Sequence, residues 1–313
     1  MKYYVGIDLG GTFIKGGIVR EDGTIVLQDK TPTESEKGDK GVANNIANLV
    51  KKLIAGANLA TEQVEGIGMG VPGMIDSKKG VVIFSNNLNW EDFAIGETVK
   101  ALTGLPVKIA NDANVAALGE AKFGGAKGKD NVVMLTLGTG VGGGIVAEGK
   151  LIEGNRSAGA ELGHSVIVYE GEPCTCGRKG CLEAYASATA LIRDTKCAME
   201  AHKDSRMWEI GSLDNVTGKT AFDYKAVDLY AKEVVDRYIA HLACGITNFA
   251  NIFRPEVVLL GGGVCGQGDE LVKPLQALLD KDIFAGNLGP RVEIRIAELG
   301  NSAGLLGAAA LLM

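Results

Sequence analysis

Hydrophobic and polar residues alternate along the first part of the chain with the two periods that strands and helices produce. Three antiparallel strands are predicted at the start, over Tyr3 to Leu9, Phe13 to Arg20 and Thr24 to Lys30. Residues Glu21 to Gly23 supply the hairpin chemistry between the second and the third. Apolar residues at helical spacing then predict a helix over Val42 to Ala55, and an apolar run follows from Val64 to Val71. This alternation indicates an α/β domain.

The alternation continues through the rest of the chain. A predicted strand from Val107 to Ala110 leads into Asn111-Asp112 and an alanine-rich helix that ends near Phe123. Later strands are predicted at Val257 to Leu260 and Val292 to Ile296, and later helices near Ala186 to Ala201, Ala226 to Phe253 and Asp269 to Asp280 and from Ala303. The polar, irregular stretch from His202 to Thr220 is predicted to be a surface insertion.

An internal repeat is the most informative feature of this organisation. The segment IDLGGTFIKGGIV, which begins at Ile7, resembles LTLGTGVGGGIV, which begins at Leu135, and an acidic residue and a glycine follow each. Two halves of one duplicated fold produce such a pattern. Because no Pro- or Ser-rich linker separates them, we expect two domains that pack closely across a cleft.

Composition limits the classes of function that the chain can have. With 313 residues, 46% hydrophobic content and a net charge of −6, it can bury a large core but has no Lys/Arg block for nucleic acid or a membrane surface. No apolar run reaches the roughly 18 residues of a membrane span, and the first residues lack the apolar stretch of a signal peptide. We therefore expect a cytoplasmic protein that acts on a small molecule.

Two glycine-rich turns indicate phosphate binding. Asp8-Leu9-Gly10-Gly11-Thr12 lies between two strands, where glycines let backbone N–H groups approach an anion and Thr12 adds a hydroxyl. Asp8 is an acceptor-only group that suits Mg²⁺ with its water ligands. A hairpin capped by Asp8 would explain this turn alone, but the second turn, Gly138 to Gly144, has five glycines, more than a hairpin needs. Together the two turns favour phosphate binding.

Two other nucleotide motifs are excluded. Gly138-x-Gly140-x-x-Gly143 formally matches the dinucleotide fingerprint, but the fingerprint requires a following helix, and Ile145-Val146 is typical of a strand. The sequence contains no G-x-x-x-x-G-K-[ST] element. A third cluster, Gly261-Gly262-Gly263, follows a strand with buried character. It is either a surface on which a flat base lies or an ordinary strand-to-helix turn.

Asn111-Asp112 stands at the end of a strand and at the start of a helix. Its simplest role is to cap that helix, since a side-chain oxygen accepts an N–H that has no partner in the helix. Asp112 also has the position of a general base that takes a proton from a hydroxyl as it attacks a terminal phosphate, an effect worth ~10²–10⁴ in rate. Asn111 offers donor and acceptor atoms to hydroxyls. Glu161, His164 and Glu183 are further candidates for binding hydroxyls.

Three of the six cysteines lie within eight residues. Cys174, Cys176 and Cys181 are interspersed with the glycines that a tight metal loop needs, and His164, ten residues upstream, completes a tetrahedral Cys₃His zinc site. A disulfide between two of the cysteines is the alternative. Because the protein fills all four positions, we expect the zinc to be structural and to fix His164 and Glu183 in space.

These motifs together resemble the ROK family of repressors, open reading frames and sugar kinases, within the actin-like ATPase superfamily. The resemblance extends over the whole chain and rests on five motifs in family order: DLGGT, LGTGVGGG, Glu161-x-x-His164, the CxCGxxGCxE loop that ends at Glu183, and GGG. It implies a duplicated ribonuclease H-like α/β fold. The smaller domain would comprise residues 1 to about 115 and the final helix, 301–313, and the larger domain residues 116–300 with the zinc loop.

The resemblance also implies an activity, the ATP- and Mg²⁺-dependent phosphorylation of a hexose with Asp112 as general base. The run Ala186 to Thr189 is similar to bacterial glucokinases, which points to glucose and glucose 6-phosphate. The implied sugar contacts are Gly73, Asn87, Asn111, Asp112, Glu161, His164 and Glu183. The implied ATP contacts are Asp8, Gly10, Gly11, Thr12, Lys15, Gly138, Thr139, Gly140, Gly262 and Gly263. The residue before Asn87 is Asn86, where the family more commonly has proline.

Other functions within the family stay open. Sugar-responsive repressors carry a DNA-binding helix-turn-helix ahead of this fold, and with a first strand predicted at Tyr3 we expect none here. A non-catalytic sugar sensor would be expected to lose the base or a phosphate turn. A kinase for mannose, allose, N-acetylmannosamine or N-acetylglucosamine is the main alternative, because the same groups bind the hydroxyls of several epimers. Family members commonly form homodimers through the larger domain, and domain closure over the sugar would exclude water.

Overall fold

The structure is a computed structural model that describes residues 2–313. The strands are β1 (Tyr3–Leu9), β2 (Phe13–Arg20), β3 (Ile25–Pro32), β4 (Val64–Val71), β5 (Met74–Asp76), β6 (Val81–Ser85), β7 (Trp90–Phe93), β8 (Val107–Asn111), β9 (Val132–Leu137), β10 (Val141–Ala147), β11 (Lys150–Leu151), β12 (Val257–Gly261) and β13 (Glu293–Ile296). The α-helices are α1 (Gly38–Gly56), α2 (Ile95–Thr103), α3 (Asp112–Phe123), α4 (Glu183–Ala186), α5 (Ala188–Ala201), α6 (Thr220–Tyr224), α7 (Leu229–Phe253), α8 (Asp269–Asp282) and α9 (Ala303–Ala310). Over residues 2–313, no helix has the length and apolar character that crossing a membrane requires.

Two five-stranded sheets have the same arrangement of strands. The first has the order β3-β2-β1-β4-β8 and the second the order β11-β10-β9-β12-β13. Three strands of each sheet run parallel, β1, β4 and β8 in the first and β9, β12 and β13 in the second. At the opposite edge two strands pair antiparallel, β2 with β3 and β10 with β11. The internal repeat in the sequence therefore corresponds to a repeated strand topology.

The chain divides into two compact units. The first comprises Met1–Asp130, Gly144–Ala160 and Glu298–Met313, and the second comprises Asn131–Gly143 and Glu161–Ala297. The expected smaller domain comprised residues 1 to about 115 and 301–313; the first unit also contains α3, which packs against α9, and residues 144–160.

Helices cover the first sheet on the faces that the apolar pattern predicts. Val42, Ile46, Leu49 and Leu53 of α1 are spaced at helical intervals and are buried in the core of the first unit. On β4, α9 approaches so closely that a Cβ atom at Gly68 would lie 1.7 Å from a backbone oxygen of the helix. A glycine is required there because any side chain would separate the helix from the sheet.

A buried carboxylate connects α3 to the segment before α9. Glu120 is fully buried, and its two side-chain oxygens accept hydrogen bonds from the backbone N–H groups of Gly125 (2.8 Å), Glu298 (3.1 Å) and Leu299 (2.7 Å). Hydrogen bonds to a charged acceptor stabilise a buried carboxylate that burial alone would disfavour. The C-terminal helix is thereby joined to the helix that begins with Asp112.

A small antiparallel sheet, β5-β6-β7, was not predicted from the sequence. Its strands are three, five and four residues long, too short for alternation to be recognised. Ile75, Val82 and Trp90 bury its inner face in the core of the first unit. The loop that contains Asn87 connects its last two strands.

The prediction of a surface insertion from His202 to Thr220 is wrong in part. The stretch forms two 3₁₀ turns, Arg206–Ile210 and Leu213–Asn215, and Met207 is fully buried. Asp228, the N-cap of α7, holds it in place. Its carboxylate accepts from Ser205 Oγ (2.7 Å), the Arg206 N–H and the Ala231 N–H (2.9 Å).

We predict that Asp228→Ala destabilises the second unit by about 2–4 kcal/mol at pH 7, because it removes a helix cap and leaves buried donors without a partner. The control Asp236→Ala, on the same helix, removes only an exposed pair with Lys232, and we expect about 0.5 kcal/mol or less. Urea unfolding is followed by the fluorescence of Trp208, with Trp90→Phe as the background, since these are the two tryptophans of the chain.

The same carboxylate gives a pH dependence of known sign. Burial alone would raise the pKa of Asp228, but hydrogen bonds from Ala231, Ser205 and Arg206 outweigh it and hold the pKa below its ordinary value of 3.8. The stabilisation is therefore complete above pH ~4 and disappears as the pH falls through the lower folded pKa. Equal stability of wild type and Asp228→Ala at pH 7 would contradict this account.

Candidate active site

The first glycine-rich turn, Asp8 to Thr12, connects β1 to β2. After their predicted role, we call this turn and the second one, Gly138 to Gly144, the first and second phosphate turns. Thr33, the residue after β3, is fully buried and holds this turn: its Oγ1 donates to the carbonyl oxygen of Gly10 (2.7 Å), and its N–H donates to the carbonyl oxygen of Thr12 (2.9 Å). Gly11 and Thr12 are exposed. Thr33 thus fixes the backbone of the turn, while Gly11 and Thr12 stay accessible to solvent. The sequence pattern did not indicate this role of Thr33.

Asp8 lies at the end of β1 beside the same turn. Its Oδ2 lies 3.4 Å from Lys15 Nζ, in a pair whose side chains are both partly exposed. The start of α9 contacts the other side, since a Cβ atom at Gly304 would lie 2.9 Å from the carboxylate carbon. The carboxylate is therefore confined without being buried, which suits contact with a hydrated cation.

Asn111 caps α3 as the simpler hypothesis predicts. Its Oδ1 accepts from the N–H groups of Ala113 (2.9 Å) and Asn114 (3.3 Å), and its Nδ2 donates to the carbonyl oxygen of Gly73 (3.1 Å). Asp112 is the first residue of the helix and is exposed. One side chain thus fixes both the helix start and the glycine, and the neighbouring carboxylate faces solvent.

The loop after β6 lies beside the first phosphate turn. A Cβ atom at Gly11 would lie 3.7 Å from the carbonyl oxygen of Asn87. Leu88 and Trp90 are buried and anchor the loop, while Asn87 itself is exposed. The first unit therefore brings two expected sugar contacts, Gly73 and Asn111, together with each other, and Asn87 together with Gly11.

The glycines of the second phosphate turn have two different functions. A Cβ atom at Gly140 would lie 2.3 Å from Glu183 Oε2, so this glycine allows a carboxylate to reach the turn. Around Gly138 no atom lies within 4 Å of such a Cβ, and Thr139 is exposed. An anion has room to approach at Gly138 and Thr139, whereas Gly140 serves packing.

The chain from Glu183 to Thr189 contacts this turn at three places. The three hydrogen bonds are Val141 N–H to Glu183 Oε2 (3.0 Å), Ala188 N–H to Gly138 O (2.8 Å) and Thr189 Oγ1 to Thr139 O (2.8 Å). The predicted helix from Ala186 is interrupted here, because Ser187 is extended and caps α5 through the N–H of Ala190 (3.0 Å). That break directs Ala188 and Thr189 towards the turn.

The third glycine cluster lies at the end of β12, next to β9. Gly262 has a positive φ of 94°, and a Cβ atom there would lie 2.4 Å from Leu137 O, the last residue before the second phosphate turn. A 3₁₀ turn, Gly263–Gln267, follows. Gly263 is exposed and has no atom within 4 Å of a Cβ position, so the backbone leaves room for a flat group.

The three clustered cysteines and His164 converge on one point. Cys174 Sγ lies 3.7 Å from His164 Nδ1, Cys176 Sγ lies 3.7 Å from Cys181 Sγ, and all four ligand atoms lie within 4.8 Å of one another. Sulfurs bound to tetrahedral zinc at about 2.3 Å are ~3.8 Å apart, so the donor set fits zinc. The cysteines are free thiols, and the alternative of a disulfide is not seen.

The thiols differ in their electrostatic surroundings. Burial raises the pKa of Cys181 to about 12 and also raises that of Cys174. A hydrogen bond from the Arg178 backbone lowers the pKa of Cys176. A divalent cation among them would favour the thiolate form of all three, which is the form that binds metal.

Two glutamates lie beside this cluster, and they differ in exposure and in hydrogen bonding. Glu161 is exposed and precedes the short turn that carries His164. Glu183 has partners on both oxygens: Oε1 accepts from Thr175 Oγ1 (3.0 Å) and lies 3.6 Å from Cys174 Sγ, and Oε2 accepts from Val141. Thr175 and Thr189 are contacts that the sequence did not indicate.

Known proteins that are similar to this chain match it over nearly its full length. A glucokinase from Halalkalibacterium halodurans is 39% identical over 313 residues, which cover 98% of this chain and 93% of the relative. A ROK family glucokinase from Streptomyces griseus, solved in complex with glucose and AMPPNP, is 34% identical with a TM-score of 0.78 and covers 99% of this chain and 98% of its own.

A ROK hexokinase from Thermus thermophilus is also 34% identical, with a TM-score of 0.82 over 98% of this chain and 97% of its own. The ROK family pattern matches residues 4–313, which includes both glycine turns and the cysteine loop. This protein therefore belongs to the ROK family.

Proposed function

We propose that this protein is an ATP-dependent hexose kinase that converts glucose to glucose 6-phosphate. The observation that carries the proposal is the exposed carboxylate of Asp112 at the start of α3, next to an asparagine that is fixed on Gly73. The full-length likeness to a glucokinase from Halalkalibacterium halodurans supports glucose as the acceptor.

In this proposal Asp112 accepts the proton of the sugar hydroxyl as the hydroxyl oxygen attacks the terminal phosphorus of ATP; the bond from that phosphorus to the bridging oxygen breaks, and ADP leaves. The backbone N–H groups of Gly11 and Thr12, and those of Thr139 and Gly140 in the second turn, donate to the phosphates. Asp8 would hold Mg²⁺ through the water ligands of the ion, with Lys15 beside the carboxylate and Gly10 shaping the turn. Gly262 and Gly263 lie against adenine.

The sugar hydroxyls are bound by side chains that both donate and accept. The proposed contacts are Asn87, Asn111, Glu161 and His164, together with Gly73 and Glu183. If zinc binds Nδ1 of His164, the other ring nitrogen, Nε2, is left for a hydroxyl. The zinc would be structural, because the four ligands complete its coordination.

Other hexoses are the second candidate. The structural likeness to a ROK hexokinase from Thermus thermophilus favours a site that accepts more than one hexose. A sensor without catalysis is less well supported, because Asp112 and both phosphate turns are present. The homodimer and the cytoplasmic location stay predictions.

The experiment that tests the function is ADP release with Mg-ATP and a panel of glucose, mannose, allose, N-acetylmannosamine and N-acetylglucosamine. We expect the highest kcat/KM for glucose. Turnover of another sugar alone would replace glucose as the substrate. Calorimetric sugar binding without ADP release for any sugar would favour the sensor.

We predict that Asp112→Asn lowers kcat by ~10²–10⁴, because the amide keeps the shape of the side chain but cannot accept the proton. The matched control is Asp39→Asn, since Asp39 is also an acidic residue in the first turn of a helix, and its Oδ1 accepts from the next N–H as that of Asp112 does. The control should keep wild-type kcat. Wild-type turnover in Asp112→Asn would remove Asp112 as the base.

We predict about one zinc per chain by metal analysis of the purified protein. Cys176→Ser should lose the metal and destabilise the second unit by ~3 kcal/mol or more, because zinc binding contributes to folding free energy. Cys197→Ser is the control, since Cys197 is an exposed thiol outside the cluster. Full activity in a metal-free protein would contradict the structural role of zinc.

A further inference from the structure

The segment Glu183 to Thr189 begins two residues after Cys181 and makes three hydrogen bonds to the second phosphate turn. It supplies all three of the side-chain and main-chain contacts to Gly138, Thr139 and Val141 described above. We propose that this segment is a mechanical link by which the Cys₃His loop sets the position of the turn, with Glu183 as the positioning residue. The inference rests on the proposed function in taking the turn as the ATP phosphate site.

The link determines the direction of the donors on the turn. The carbonyl oxygens of Gly138 and Thr139 both point to the segment, where Ala188 and Thr189 bind them. In a planar trans peptide the N–H of the next residue points the opposite way from the C=O. The N–H groups of Thr139 and Gly140 therefore point away from the segment. Fixing the two carbonyls is what presents two N–H groups to a phosphate.

Glu183 connects the turn to the metal ligands through its two oxygens. Oε2 binds the Val141 N–H, and Oε1 binds Thr175 Oγ1 and lies 3.6 Å from Cys174 Sγ. Thr175 stands between two cysteines of the ligand set, so a metal that orders the loop also orders Glu183. The absence of a side chain at Gly140 allows the carboxylate to come this close.

Thr189 provides a test on the turn side, because it is exposed and its hydroxyl makes one bond of the link. Thr189→Val keeps the shape and removes the donor, whereas Thr189→Ser keeps the donor. We expect the affinity for a non-hydrolysable ATP analogue with Mg²⁺, measured by calorimetry without sugar, to fall about three- to tenfold in Thr189→Val. It should stay within about twofold of wild type in Thr189→Ser. Equal affinities for the two variants overturn the link on this side.

Thr175 provides the matching test on the metal side. If the loop and the turn are linked, then the nucleotide must tighten zinc binding by the factor by which zinc tightens nucleotide binding. Competition with a chelating dye should show zinc affinity at least about fivefold higher with the ATP analogue than without it, in wild type and in Thr175→Ser. Thr175→Val should lose most of this difference. If the ATP analogue raises zinc affinity by the same factor in Thr175→Val and in Thr175→Ser, the positioning role of Glu183 is overturned.

Amide hydrogen exchange at Val141 separates the link from the proposed function. Exchange should be more than about tenfold slower in the zinc-loaded protein than after zinc removal, because Glu183 then holds the Val141 N–H. If wild type binds no nucleotide, the proposed kinase activity fails, and this exchange still decides the link. A rate at Val141 that is the same with and without zinc overturns it.

Discussion

The hydrogen bond from the Val141 N–H to Glu183 Oε2 joins the second glycine-rich turn to the segment after the cysteine loop, two regions that are far apart in sequence. It requires a glycine at position 140, since any side chain there would occupy the place of the carboxylate. Glu183 begins α4, and that helix ends after four residues. The chain can then turn back so that Ala188 and Thr189 reach the same hairpin. The geometry of the second phosphate turn follows from this set of contacts.

The two phosphate turns occupy equivalent places in two sheets of the same topology, as the duplicated actin-like fold requires. The residues that hold the two turns in place differ. A buried threonine next to β3, Thr33, holds the first turn, whereas the segment after the cysteine loop holds the second. The strand framework is thus duplicated, and the parts that hold the ligand-facing backbone are specific to each half. This difference gives the cysteine loop a direct connection to the second turn.

The sequence predicted the long helices and strands well, and the single side-chain contacts that hold the two turns poorly. The strands β1, β2 and β4 and the helices α1 and α7 have long apolar periods that a sequence shows directly. The ligands of the Cys₃His site were predicted from spacing, and the structure brings all four together. A single hydroxyl such as that of Thr33 or Thr189 leaves no pattern, because its partner is fixed only by tertiary packing. The break at Ser187 was missed for the same reason, since alanine-rich flanks on both sides favour a continuous helix.

For Asn111 and Asp112 the capping and the catalytic interpretations are compatible. The cap uses the side chain of Asn111, which binds two helix N–H groups and Gly73. It therefore fixes the backbone at the next residue and determines where the Asp112 carboxylate emerges. A loop residue without such a cap would sample several directions, and a general base needs one. The interaction that first suggested a purely structural role is thus the one that would hold Asp112 in place for its proposed role as general base.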